Sequence, residues 1–255
     1  MQGNSRRGED EVGNKKQQGK PKLSYGERKK IEEQRQRKQM QRLIWITAAV
    51  VVAIAALVAF ARPGSNAGGS AAKANISTEH MPVIGKADAP VKIIEYGDFK
   101  CPSCRYFSQN VYPSLKKDYI DTGEVALYFS NFPFIGPDSL TAAYAAQAVY
   151  HQNNDAFWTY YDLIYKYQQD EKKTWATPDV LVDIADKAKL GLNLDQLRKD
   201  IDNKTYKAEV DKQYSSGESN GVNSTPTLFV NGVKFEQFSD YNALKSLIEQ
   251  QKKAK

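Results

Sequence analysis

The sequence predicts a mixed α/β domain with an inserted all-helical subdomain, set behind a single N-terminal transmembrane helix. Three observations predict it. Residues 43–61, "LIWITAAVVVAIAALVAFA", carry no charge. Beyond them the apolar pattern runs strand, helix, strand, several helices, hairpin, helix. The chain's two cysteines, Cys101 and Cys104, stand three positions apart at the first strand–helix junction.

Of 255 residues, 26% are charged and 41% hydrophobic, which is ordinary for a globular chain. The net charge of +6 is concentrated at one end. Residues 1–42 hold thirteen Lys/Arg against six Asp/Glu, whereas from Pro63 onward 22 basic residues face 24 acidic ones. The folded part is nearly neutral, so it lacks the basic face that nucleic-acid binding requires. Residues 1–42 read as a basic cytoplasmic tail, largely disordered, with a polar helix in 25–42. As a helix, residues 43–61 span ~28 Å, close to the ~30 Å bilayer core, and satisfy their own backbone polar groups. Ala59-Phe60-Ala61 resembles a cleavage box, but run and leader exceed the usual ~7–15 and ~15–30 residues of a signal peptide. An uncleaved anchor is expected. Arg35, Arg37, Lys38 and Arg42 crowd its N-terminal flank, against Arg62 and Lys73 beyond it. The rest of the chain is therefore expected outside the cytoplasm, where disulfides persist. Residues 62–78 are small and polar and read as a flexible extracytoplasmic linker of ~20–25 Å.

The domain is expected over 79–255. "VKIIEY", Val91–Tyr96, is β-branched and apolar and reads as a buried strand. A helix follows from Pro102 to about Asp121. Phe107, Val111, Leu115 and Tyr119 form one face of it, Pro113 kinks it and Gly123 ends it. Residues 124–134 read as a second strand. Helices are expected at about 138–151, 154–169, 178–190, 194–203 and 204–218, which places the insertion at about 138–220. Residues 225–235 read as a hairpin turning at Asn231-Gly232, and a last amphipathic helix starts at about Asp240.

Two cysteines so close admit a staple, a metal clamp or a redox pair. A disulfide across so short a loop removes only about 2 kcal/mol of unfolded-state entropy, against about 3 for fifteen residues. A structural zinc site wants four Cys/His ligands. His80 and His151 are the only histidines, lack ligand-like spacing and read as ordinary surface residues, so no metal site is expected. A two-thiolate copper carrier stays open as a non-enzymatic alternative. The redox reading unites geometry and electrostatics. Positions i and i+3 of a helix lie ~5–6 Å apart on one face, within disulfide reach. Cys101 falls at the N-cap before Pro102, where unpaired N–H groups favour a thiolate. Cys104, one turn in, is the resolving thiol. Ser224-Thr225-Pro226-Thr227 supplies a candidate cis Thr225–Pro226 bond whose backbone can pair with an extended substrate. Glu95, in a buried strand, is a candidate proton exchanger for the deeper thiol. Asp98 reads as a turn cap, and Lys100 as a solvated lysine that adds positive charge near Cys101.

"GKADAPVKIIEYGDFKCPSCRYF…VYPSLKKDYIDTGEVALYF" and "GVNSTPTLFVNG" resemble the DsbA-like thiol–disulfide oxidoreductases, and more narrowly their membrane-tethered BdbD-like branch in Gram-positive bacteria. The likeness runs over about residues 82–250. It implies a thioredoxin-like fold with a helical insertion. It also implies Cys101 as exposed nucleophile, Cys104 as its partner, Pro226 as cis-proline and Glu95 as buried acid, with Thr225, Pro102 and Ser103 facing the substrate. The redox-active Cys101–Cys104 disulfide would serve without a cofactor. The implied activity is extracytoplasmic disulfide formation in secreted proteins, with reoxidation by a quinone-linked membrane protein; separately, a monomer is expected. Ser103 stands where strong oxidants of this family often have histidine. That leaves a reductase or isomerase using the same site as the alternative direction.

Overall fold

The computed structural model describes residues 73–254, together with 37, 38, 40–42, 45 and 47. The chain divides into two units, Met1–Gly69 and Ser70–Lys255. In the first unit the described residues are helical. Apart from 45 and 47, the anchor expected at 43–61 lies outside the described residues, as do most of the tail and the linker up to residue 72. Among the described residues no helix is long and apolar enough to cross a membrane.

The second unit is built on a five-stranded sheet of order β1-β3-β2-β4-β5. The strands are β1 (Val83–Ile84), β2 (Val91–Gly97), β3 (Val125–Asn131), β4 (Thr227–Val230) and β5 (Val233–Phe235). The central β2 runs parallel to β3 and antiparallel to β4, so Glu95 lies between Phe129 and Leu228. The edge strand β1 has no counterpart in the sequence reading, because two residues carry no period. The β4–β5 hairpin turns at Asn231 and Gly232, whose φ of 47° and 82° are the left-handed pair a tight hairpin needs.

Alternation along the strands gives the sheet two apolar faces. Val91, Ile93, Leu127, Phe129, Leu228 and Val230 join the main core. Ile94, Tyr96, Ala126, Tyr128 and Phe229 pack on the reverse face with Phe132 and Val222. Ala74 and Ile76 also lie against that face, and Ala74 N donates to Gly232 O at 2.9 Å. The last residues assigned to the linker are therefore docked on the domain, because their alternating apolar side chains cover the sheet.

The helix after the cysteines, α1, runs through Pro102–Tyr106, Phe107–Val111, Tyr112–Leu115 and Lys116–Ile120, the second and fourth segments being π-helical. This is the form the kink expected at Pro113 takes. An interior proline lacks an N–H and its ring strikes the carbonyl four residues back. A wide turn just before it, closed by Tyr112 N–H on Phe107 O, relieves that collision. Phe107, Val111, Leu115 and Tyr119 form the buried face their spacing predicts.

Between β3 and β4 stand α2 (Pro137–Gln152), α3 (Asn154–Tyr167), α4 (Pro178–Lys187), α5 (Leu194–Asn203) and α6 (Lys207–Ser219); α7 (Tyr241–Lys253) closes the chain. The insertion thus occupies the expected span. Asn153, Thr177, Asn193 and Asp240 cap their helices by accepting first-turn N–H groups, each worth about 1 kcal/mol. Phe99, Phe129, Phe157, Tyr161 and Tyr165 form an aromatic cluster joining sheet to α3 under the cysteine loop.

Candidate active site

After β2 the chain turns through Asp98–Lys100 into α1, with Cys101 as N-cap and Pro102 in the first turn. Asp98 builds that turn. Its carbonyl accepts from Cys101 N at 2.9 Å, and its Oδ1 accepts from Lys100 N at 2.8 Å. Its Oδ2 accepts from Phe134 N and Ile135 N at 2.9 and 3.1 Å, so the cap also fixes the loop after β3. From behind, Gln168 Nε2 donates to Phe99 O and Cys101 O at 2.8 and 3.1 Å.

Lys100 corrects the expectation of a solvated side chain. It is buried, and Nζ donates to Asp138 Oδ1 at 2.6 Å and to Lys173 O at 3.0 Å. Asp138 Oδ2 accepts in turn from Trp175 N and Ala176 N. Burial opposes the Asp138 charge, but Lys100 and these backbone donors outweigh it and hold the carboxyl below its usual range. A partner thirty-eight residues away, on α2, leaves no local trace in the sequence.

Both cysteines are free thiols and both are buried. Cys101, implied to be exposed, is 7% exposed at the floor of a groove. Its Sγ donates to Thr225 O at 3.2 Å, and the Thr225–Pro226 peptide is cis, as expected. The hydrogen bond from the Cys104 thiol is the main influence that lowers the Cys101 pKa to about 6. Burial opposes it; the Thr225 side chain and the backbone N–H groups of Cys104 and Ser103 assist. Ser103 thus contributes through its backbone N–H. Cys104 shows the opposite: burial, then the neighbouring Cys101, push its thiol well above the ordinary value.

Glu95 is fully buried. Its Oε2 accepts from the Tyr161 hydroxyl at 2.9 Å, while Oε1 has no partner. Burial pushes its carboxyl up to about 8, only partly offset by Tyr161. The group is therefore mostly a neutral acid at neutral pH. Its negative charge, when formed, would raise Cys104 further.

The groove, about 560 Å³, is lined by Cys101, Pro102, Ser103, Phe134, Ile135, Glu171 and Lys172. A second hollow, about 310 Å³, lies between Pro102, Ser103, Tyr106 and Phe238. Tyr106 and Phe134 are exposed aromatics on these two flanks. Every residue singled out around the cysteines is thus brought together: Cys101, Cys104, Pro102, Ser103, Thr225, Pro226 and Glu95. Sequence reasoning missed Tyr161, Gln168 and Asp138, whose hydrogen bonds hold the acid and the loop. Both histidines lie at the surface, as expected. His80 and His151, far apart in the chain, converge with Glu209 so that one ligand atom from each lies within 4.8 Å of the others.

A low-pKa sulfur at a helix N-cap, a deeper thiol one turn in and a cis-proline loop against the outer sulfur define a dithiol–disulfide exchange site of the thioredoxin class. A thioredoxin family model matches residues 77–250. The probable disulfide bond formation protein D of Bacillus cereus is 41% identical over 170 residues, which cover 67% of this chain and 78% of that protein. Disulfide bond formation protein D of Bacillus subtilis is 35% identical over 188 residues, 74% of this chain and 84% of that protein. The crystal structure of oxidised BdbD from Bacillus subtilis superimposes with a TM-score of 0.68 at 34% identity, covering 71% of this chain and 97% of that one. The chain belongs to the thioredoxin family, within its DsbA-like protein-disulfide oxidoreductases.

Proposed function

We propose that this oxidoreductase is an extracytoplasmic oxidant, anchored by residues 43–61, that introduces disulfides into secreted or surface proteins through Cys101 and Cys104. The observation that carries the direction is the seat of Cys101 at the helix N-cap, facing the cis-proline loop. The Cys101 thiolate is stabilised, so the reduced form gains relative to the disulfide, and that gain drives donation. The names of the Bacillus relatives, disulfide bond formation proteins, support the same direction.

In the proposed cycle a substrate thiolate attacks Cys101 Sγ of the Cys101–Cys104 disulfide. The substrate–Cys101 bond forms, the Cys101–Cys104 bond breaks, and the pair of electrons leaves on Cys104. Cys104, whose pKa is high, takes the proton of the neutral Glu95 carboxyl. The substrate's second thiolate then attacks its own sulfur in the mixed disulfide, closing the substrate disulfide and releasing Cys101 as the stabilised thiolate. Thr225, next to cis-Pro226, offers backbone to an extended substrate in the groove with Pro102 and Ser103. The chain itself supplies the redox couple without an added cofactor. Two electrons leave the dithiol to a quinone-linked membrane oxidant, and the protein works as a monomer.

Refolding of a reduced multi-disulfide protein tests the reading. Cys101→Ser abolishes catalysis, and Cys104→Ser accumulates mixed disulfides with substrate. A fully active Cys104→Ser variant overturns the two-thiol cycle. A reduction potential against glutathione near that of thioredoxin, about −270 mV, reverses the direction to reductase. Protease added to intact cells reaches the catalytic domain if the orientation is correct; protection overturns it.

A further inference from the structure

We infer that Lys100, paired with Asp138, is a positioning residue for polypeptide substrates: it holds the turn 170–173 beside Cys101 as one wall of the groove. The inference rests on the reading that a substrate lies extended in that groove.

Both walls are tied to the turn that carries the nucleophile. On one side Phe134 and Ile135 are held through their backbone N–H groups by Asp98. On the other, Glu171 and Lys172 line the groove. They stand on a turn closed by Asp170, whose Oδ1 accepts from Lys172 N at 2.9 Å and whose carbonyl accepts from Lys173 N at 3.0 Å. This turn is fastened to the cysteine loop at both ends. Before it, Gln168 Nε2 bridges Phe99 O and Cys101 O, and Arg105 Nη1 donates to Gln168 O at 3.3 Å. After it, Lys100 Nζ donates to Lys173 O, and Asp138 Oδ2 accepts from Trp175 N and Ala176 N. The segment from the first wall into α2 passes so near that a Cβ on Gly136 would lie 3.1 Å from Lys100 Nζ and 3.3 Å from Asp138 Oδ1. The two walls therefore meet at Lys100.

Stability alone does not account for a buried ion pair here, because apolar residues of like volume often match or exceed it. An apolar pair could not bond Lys173 O, Trp175 N and Ala176 N, and those three bonds fix the wall. The influences that stabilise the Cys101 thiolate come from Cys104, Thr225 and Ser103, not from Lys100. The pair thus acts on the shape of the groove. An extended polypeptide fills that shape, whereas a small dithiol engages little beyond the sulfur.

The test compares wild type with Lys100→Met/Asp138→Leu, both oxidised and full-length. Two second-order rate constants are measured by quenched flow with thiol trapping, one with a synthetic two-cysteine peptide and one with dithiothreitol. The peptide constant is expected to fall about 10-fold, and the dithiothreitol constant by clearly less. The pH midpoint of the Cys101 thiolate, followed by its ultraviolet absorbance, should stay at the wild-type value. An unchanged peptide constant, an equal fall in both constants, or a raised thiolate midpoint each overturns the inference; the last would mean that Lys100 acts by its charge on the sulfur. Should the double variant melt below the assay temperature, Asp138→Asn reads the same ratio, and a ratio equal to wild type overturns the inference again. Glu171→Ala/Lys172→Ala, at the surface, should lower the peptide constant in the same selective way; full peptide reactivity there shows that the turn is no wall. A wild type inert toward the peptide overturns the substrate reading and this inference together, whereas an active wild type with an unselective variant overturns this inference alone.

Discussion

Replacing Glu95 by Gln should flatten the pH dependence of this domain's stability. In the folded state burial holds the carboxyl up at about 8; in the unfolded chain it titrates near 4.5. Between those values the folded state keeps a proton that the unfolded state has lost. The contribution to stability is complete below about pH 4.5, falls as pH rises, and stops changing above about pH 8. At pH 7 the wild type has lost about 3 kcal/mol through this one group, and by pH 8 about 4–5. A domain of ordinary stability has about 5–15 kcal/mol in total, so the effect is large. The amide introduced by Glu95→Gln leaves donors unpaired and costs about 1–3 kcal/mol at all pH values. The two stability curves should therefore cross: the wild type is more stable at about pH 4.5, the variant at about pH 8. Urea unfolding of the reduced proteins, followed by tryptophan fluorescence across that range, measures both curves. Cys101 titrates in both proteins, and its charge adds to the Glu95 shift only in the wild type. Parallel curves would refute the claim that Glu95 is buried as a neutral acid.

Further outcomes follow from the same geometry. Tyr161→Phe removes the hydrogen bond that favours the Glu95 anion, so the alkaline loss of stability moves to higher pH, with about 1–2 kcal/mol lost overall; the same urea series reads both. Lys100→Met strands the buried Asp138 charge and should cost about 3–5 kcal/mol, whereas Lys100→Met with Asp138→Leu should recover most of it; thermal melts separate the two. Gly97→Ala would place a Cβ 2.5 Å from Phe129 Cε2, forcing the aromatic cluster under the cysteine loop to shift; a destabilisation of about 1–3 kcal/mol is expected by urea unfolding.

What the sequence made legible was what is local. Val91–Gly97 and Val125–Asn131 announce themselves by β-branched apolar runs, α4 by Thr177-Pro178, and the hairpin by Asn231-Gly232. The redox pair needs only a spacing of three and a proline at the helix start. The failures share one cause. Lys100 looks solvated until α2 brings Asp138 against it. Ala74 and Ile76 look like linker until the sheet presents an apolar reverse face. Each is a tertiary pairing over tens of residues, and composition and periodicity carry no information about which distant segment arrives. Tyr161 is the sharpest case. It is one of several aromatics in 157–167, and only the fold shows that its hydroxyl reaches Glu95.

The Cys101 thiolate also sets a limit on how much of an oxidant's strength this helix terminus can supply. With a pKa of about 6 in place of an ordinary 9, the reduced form at pH 7 gains about 1.4 kcal/mol, equivalent to about 30 mV. The span from thioredoxin near −270 mV to DsbA near −120 mV is about 150 mV, so thiolate stabilisation covers roughly a fifth of it. Cys104 adds nothing of this kind, because its raised pKa leaves it a neutral thiol across the working range. Any further oxidising power must come from strain or desolvation that disfavours the disulfide form. The pH dependence of the potential separates the two sources. Reduction consumes two protons below the Cys101 pKa and one above it, so the slope should drop from about 59 to about 30 mV per pH unit near pH 6. A slope that stays near 59 mV up to about pH 8 would show an ordinary thiol at Cys101, and the electrostatic account of this site would fail.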